Sequence, residues 1–103
     1  MKIIELHNYF TKKALAIIEQ KNRDYTNSDL DVYANFRTSL IFNVQPEIGL
    51  MGRMLDKMKR IETFVSKNNL ENESVEDAIV DLINYTVLLG GLIQERKAKN
   101  AAL

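Results

Sequence analysis

The chain has 103 residues, of which 46% are apolar and 27% charged, so it is one globular domain spanning 1–103 and is too apolar to be disordered. Fourteen Lys and Arg balance fourteen Asp and Glu, so bulk charge does not favour binding to duplex DNA or to anionic membranes. The absence of cysteine excludes disulfides, thiolate metal sites and cysteine nucleophiles. No signal peptide and no apolar run of about 18 residues is present, which predicts a soluble, cytoplasmic protein.

The first predicted helix covers about 2–22, because its apolar residues recur at steps of three and four. They are Ile3, Leu6, Phe10, Ala14, Ile17 and Ile18. The next stretch, "KNRDYTNSDLD", is rich in residues that compete for backbone hydrogen bonds and favour turns. Lys21 and Tyr25, at its start, are candidate ligand contacts, although an anchoring tyrosine is the commoner case.

Two further helices are predicted before residue 70. The first covers about 30–43 and can be capped by Ser28 or Asp29. The second covers about 46–67, with Pro46 in its first turn, where a missing N–H is tolerated. Its helical spacing predicts a core-facing stripe of Met51, Met54, Met58, Ile61 and Val65.

The fourth predicted helix covers about 75–97, where Ser74 and Asp77 form a variant capping box. Gly90 and Gly91 lie in its middle, where we expect them to permit a kink or a close contact. The fold class is therefore all-α, a four-helix antiparallel bundle. A homo-oligomer is also expected, because the fourth helix is apolar over more of its circumference than one neighbour covers.

A narrow polar side on this apolar helix carries Asp77, Asp81 and Asn84, with Tyr85 beside it. A buried carboxylate needs a cation or a metal, or else its pKa changes. Two carboxylates four residues apart could share Mg²⁺, or they could pair with cations of the neighbouring helix. The third possibility is that these carboxylates are simply exposed to solvent.

Three cations, Arg53, Lys57 and Arg60, follow one side of the third predicted helix at steps of four and three. Asp56 borders them, and Gly49 and Gly52 leave the adjoining surface without bulk, so that a phosphate could approach. A solvated basic face is the plainer interpretation, because charge runs usually lie on the surface.

The motifs "KNRDY", "ANF", "RMLDKMKRI" and "ESVEDAIVDLINY" together resemble a small α-helical phage and bacterial family, the nucleotide modification associated domain, type one. The similarity spans about 18–90, and the last motif is its most specific part. It implies a phage- or prophage-encoded protein connected with nucleotides or modified DNA. The chain is also distantly similar to the all-α nucleotide pyrophosphatases of the MazG and dimeric dUTPase kind, which hold Mg²⁺ on acidic residues.

That second similarity implies a metal role for Asp77 and Asp81, although their spacing here is Asp-x-x-x-Asp, or Glu76 with Asp81 one step further, and the chain has no Glu-x-x-Glu pair. Asp56, beside the cations of the neighbouring helix, is a further candidate metal ligand. Two functions are therefore predicted. In one, the protein binds a phosphorylated nucleotide through Arg53, Lys57 and the neighbouring cation Arg60, and acts as a Mg²⁺-dependent pyrophosphohydrolase. In the other, it is a non-catalytic phage accessory or anti-defence protein that sequesters a nucleotide signal or binds a host protein.

Overall fold

Three α-helices make up most of the described protein: α1 (Ile3–Tyr25), α2 (Pro46–Lys67) and α3 (Val75–Ala101). This computed structural model describes residues 1–25, 40, 42–69 and 74–102, and for 22–25 it describes the backbone alone. These residues contain no β-strand, which confirms the all-α class. The predicted helix at 30–43 lies outside them except for its end, where the Asn43 N–H donates to the Leu40 carbonyl (3.0 Å). The described fold thus has three helices and does not support the four-helix bundle.

The ends of the helices follow local signals in the sequence. Pro46 occupies the first turn of α2, and Asn68 ends that helix in the left-handed conformation (φ 63°). At the start of α3, the Asp77 N–H donates to the Ser74 hydroxyl (3.0 Å) and the Ser74 N–H donates to the Asp77 carboxylate (3.4 Å). The capping box is confirmed. Both α1 and α3 extend past their predicted ends. In α3 the Lys and Ala residues of the last turn are good helix formers, whereas the last turn of α1 is rich in Asn, Asp and Tyr and its extension has no such local cause.

α3 is the central element of the described fold. It packs against both α1 and α2, whereas the described backbones of α1 and α2 do not approach one another. Residues near the start of α2 contact residues near the end of α3, and later residues of α2 contact earlier residues of α3. Glu47 pairs with Arg96, Leu50 packs on Leu92, and Lys57 pairs with Asp81. These two helices are therefore antiparallel. None of the three helices has the combined length and apolarity required for a membrane span.

The buried core in the described residues is small and entirely apolar. Its members are Ala14, Leu50, Ala78, Val80 and Leu92. Around Leu50 and Leu92 pack the half-buried side chains of Tyr85, Leu88 and Leu89, so the α2–α3 interface carries most of the apolar packing.

The buried face of α2 differs from the predicted one. Met51, Met58 and Val65 are 47%, 54% and 74% exposed, whereas Leu50 is fully buried. Met54 and Ile61, also in the predicted stripe, are half-buried. The buried face is therefore centred roughly 65° around the helix from the predicted stripe, and the two share Met54 and Ile61. The cause is tertiary: α2 has two apolar stripes, and α3 covers the one that contains Leu50.

The central glycines do not mark close contacts. A Cβ atom added to Gly90 would meet no atom within 4 Å, and the same holds for Gly52. The expected close approach at Gly90 is therefore wrong. Gly52 leaves the adjoining surface of α2 open, as predicted.

We therefore expect Gly90→Ala to stabilise the protein. With space for the added methyl group, the substitution removes backbone freedom from the unfolded chain and should raise the free energy of unfolding by about 0.5–1 kcal/mol. Urea denaturation followed by circular dichroism measures this change, and Gly52→Ala should act in the same direction. A decrease in the unfolding midpoint for both variants would contradict the open surroundings of these glycines.

Candidate functional site

Asp81 lies on α3 within reach of a lysine from each of the other two helices. Its Oδ2 atom is 2.9 Å from the Lys57 Nζ of α2, and its Oδ1 atom is 4.0 Å from the Lys21 Nζ of α1. One carboxylate on α3 thus holds an ammonium group from each neighbouring helix. We call these three side chains the cationic junction.

The two lysines of the cationic junction differ in exposure. The Lys57 side chain is 15% exposed and Asp81 is 19% exposed, whereas the Lys21 side chain is 52% exposed. Lys57 can bury its aliphatic stem along α3 while its ammonium group meets the carboxylate. Lys21 makes the longer contact and retains access to solvent. Lys57 is therefore the structural partner, and Lys21 can turn towards a ligand.

Asn84 connects α3 to α1 on the same side as Asp81. Its amide Nδ2 donates to the backbone carbonyl of Ala14 (3.0 Å), and Ala14 is buried. The small side chain at that position lets the helices approach closely enough for this hydrogen bond. Asn84 thus positions the helix that carries Lys21. Tyr85, in contrast, packs against the apolar core.

The other predicted metal ligands are placed differently. Asp77 is an exposed residue engaged in the capping box, and Asp56 is exposed on α2. Within the residues that the structure covers, no three His, Cys, Asp or Glu side chains come together in a way that could hold a metal ion. Asp81 forms ion pairs with two lysines instead. The predicted pairing of the acidic side with the cationic strip is therefore observed for Asp81 and not for Asp77.

The remaining predicted ligand contacts are Arg53, Arg60 and Tyr25. Arg53 and Arg60 are exposed residues, one turn before and one turn after Lys57 on α2. The side chain of Tyr25 lies outside the described residues. Asp81 thus pairs with the two lysines, and the two arginines flank Lys57 along its own helix.

Sequence reasoning missed a polar cluster where α1 crosses the start of α3. Lys13 pairs with Glu76, and its ammonium group lies 5.9 Å from the centre of the Tyr9 ring. The hydrogen bond from Lys13, followed by one from Tyr9, lowers the pKa of Glu76. The same bond raises the pKa of Lys13, and the Tyr9 pKa is raised by its bond to Glu76. No local signal in the sequence points to the pairing of Glu76 with Lys13, since the two residues are 63 positions apart.

A second cluster lies at the other end of α3. Arg96 donates to the Glu47 carboxylate and to the Gln45 side-chain oxygen (3.0 Å), and its pKa is raised by the bond to Glu47. These groups line a cavity of about 170 Å³ together with Leu92 and Lys99.

A scan of the chain against protein-family models found no match, and searches of curated proteins and of solved structures found none either.

Replacing one partner of the Lys57–Asp81 pair should lower the free energy of unfolding more than replacing both. Asp81→Asn leaves a largely buried ammonium group without its counter-charge and should lower the free energy of unfolding by about 2–4 kcal/mol. The double variant Lys57→Met, Asp81→Leu should be within about 1 kcal/mol of the parent protein, since apolar pairs of similar size replace buried ion pairs well. Chemical denaturation of Lys57→Met, Asp81→Leu and the double variant measures the coupling between the two residues. If the losses of stability in the single variants simply add up to the loss in the double variant, the two side chains are not coupled.

The Lys13–Glu76 pair should make stability depend on pH. Because the folded-state pKa of Glu76 is lowered, its contribution is present above its ordinary value of 4.5 and is lost as pH falls through the folded value. The raised Lys13 pKa means that its contribution is complete below 10.5 and is lost as pH rises through the folded value. Glu76→Gln should therefore lower the melting temperature at about pH 7 and much less at about pH 3.

Glu62→Gln is the matched control for this measurement. Glu62 is 69% exposed and contacts Lys59 within the same helix, at 3.7 Å. Exposed ion pairs of this kind contribute little to the stability of the folded protein. An equal loss of melting temperature for Glu76→Gln at both pH values would show that the carboxylate charge is not responsible.

Proposed function

We propose that this protein binds a phosphorylated nucleotide ligand at the cationic junction and holds it without cleaving it. The phosphate group would meet Lys21 and the exposed guanidinium groups of Arg53 and Arg60. Arginine presents planar, paired donors that match phosphate oxygens, whereas lysine acts as a point charge. Asp81 and Lys57 would fix the helices that carry these cations.

The observation that carries the proposal is the pairing of Asp81 with one lysine from each of two helices. Lys21 and Lys57 share one carboxylate, and the more exposed of them, Lys21, is also the more distant at 4.0 Å. The Lys21 ammonium group can therefore turn to a phosphate oxygen while Lys57 keeps its contact with Asp81. A charge-assisted hydrogen bond formed there would be strengthened because the junction is partly withdrawn from water.

The same contacts favour binding over hydrolysis. A Mg²⁺ ion on Asp81 would have to displace Lys57 from a contact of 2.9 Å, and Asp77 would have to leave its hydrogen bonds with Ser74. The donor set therefore fits lysine pairing better than a hard cation, which prefers several oxygen ligands. Sequestration of a nucleotide signal, in the phage setting that the family resemblance implies, is the role that follows.

The four-helix arrangement is part of this proposal. Base recognition would come from other residues of the chain. The phosphate contacts of α1 and α2 would be common to every nucleotide, so they would set affinity and leave selectivity to the base.

Calorimetric titration with a panel of nucleoside mono-, di- and triphosphates and cyclic nucleotides tests the proposal, with and without Mg²⁺. Arg60→Gln should raise the dissociation constant of the bound nucleotide about tenfold, because one charge-assisted hydrogen bond is worth about 1.5 kcal/mol. Lys59→Gln is the matched control: Lys59 is 73% exposed on the same helix, about 100° away from Arg60, and its loss should leave affinity unchanged.

Binding should weaken as salt is raised and should not require Mg²⁺. The nucleotide recovered after incubation should be intact by chromatography. Release of pyrophosphate that Asp81→Asn abolishes would instead establish the hydrolase, and an absence of binding across the panel would refute nucleotide recognition.

A further inference from the structure

α2 exposes a row of apolar side chains at the spacing of a coiled-coil seam. Their positions alternate at steps of three and four, which is the a/d pattern of a heptad repeat. They are Ile48, Met51, Leu55, Met58 and Val65, and their exposed fractions are 57%, 47%, 64%, 54% and 74%. Glu62 fills the one polar position in the row, which we call the heptad face.

The heptad face is separate from both other surfaces of α2. Counting about 100° per residue, it lies about 110° around the helix from the stripe buried against α3 and nearly opposite Arg53 and Arg60. Neither the α3 packing nor the cationic junction uses it. Five large side chains, each about half exposed or more, leave an apolar patch on the order of 500 Å², at the upper end of what monomers expose.

We propose that the heptad face binds the same face of a second copy of this chain, with the two α2 helices antiparallel. A repeat interval of 3.5 residues suits a partner helix that presents the same pattern, and a second copy supplies one. A two-fold axis near residues 56 and 57 would place Ile48 against the partner's Val65 and Leu55 against the partner's Met58. Every exposed apolar residue of the row would then gain an apolar or aliphatic neighbour.

Glu62 decides the direction of the pairing. In a parallel pair, equivalent positions face each other, and the two Glu62 carboxylates would repel across the seam. In the antiparallel pair, Glu62 faces the partner's Met51, and its carboxylate can remain at the edge beside Lys59, 3.7 Å away in its own helix. The antiparallel arrangement avoids the repulsion and covers the same apolar area.

Light scattering coupled to size-exclusion chromatography tests the interface on the full chain. The unaltered protein should elute with the mass of a dimer. Leu55→Gln should raise the dimer dissociation constant at least about tenfold, because each substitution removes two apolar contacts from a two-fold interface. Leu15→Gln is the matched control, since Leu15 is also exposed, at 55%, but lies on α1; it should leave the dimer intact.

Disulfide trapping tests the direction, because the chain contains no cysteine. Ile48→Cys and Val65→Cys should not cross-link as single variants, whereas their mixture or the double variant should form a covalent dimer under mild oxidation. Self-linking of each single variant would show a parallel pair. A monomeric parent protein, or a dimer that Leu55→Gln and Met58→Gln both leave intact while circular dichroism shows native helicity, would overturn the proposal.

Discussion

The described fold depends on α3, which packs against both other helices. Among the described residues, the backbones of those two helices do not approach each other, so their contacts with α3 set their placement. Asp81 contacts a lysine from each of them. A polar residue in the most apolar helix is therefore explained by its position, because its carboxylate reaches a cation of both neighbouring helices.

An apolar side chain at this position could fill the same space, so packing alone does not require an ion pair. Half-buried ion pairs add little net stability once the cost of dehydrating both charges is counted. They do restrict how two helices align, because any alignment that left a buried charge unpaired would lower the free energy of unfolding. The Lys57–Asp81 contact and the Asn84 hydrogen bond to Ala14 thus fix the alignment of the helices. They also leave Lys21, more exposed and more distant from the carboxylate, as the member of the junction that can respond to a ligand.

The sequence predicted the features that rest on interactions within a few residues. The capping box of Ser74 and Asp77 and the start of α2 at Pro46 are contacts between near neighbours, so their residues appear together in the chain. The ion pair was predicted only as a choice between three cations, since Arg53, Lys57 and Arg60 share one side of α2. Lys57 is the partner because it lies in the stripe that α3 buries, and that stripe could not be identified without α3.

The same reasoning explains the error about which face of α2 is buried. Its apolar residues form two stripes about 110° apart, and each alone has the amphipathic pattern of a packed helix. Periodicity cannot rank the two, because the ranking depends on which stripe complements a neighbouring helix. Leu50 meets Leu92 of α3, and Leu55 meets nothing equivalent within the described residues. A helix with two apolar faces and one core partner retains one face for another helix.

This division of surfaces links the oligomer to the proposed function. The homo-oligomer was expected from the apolar circumference of the last helix, but α3 already has a neighbour on two sides, α1 and α2. Among the described residues, α3 exposes Val87 and Ile93, and α2 exposes the longer apolar row. Because the heptad face and the arginines lie on nearly opposite sides of that helix, pairing through one leaves the other open. A dimer built this way would carry two cationic junctions facing outward, independent of each other in charge and accessible to separate ligands.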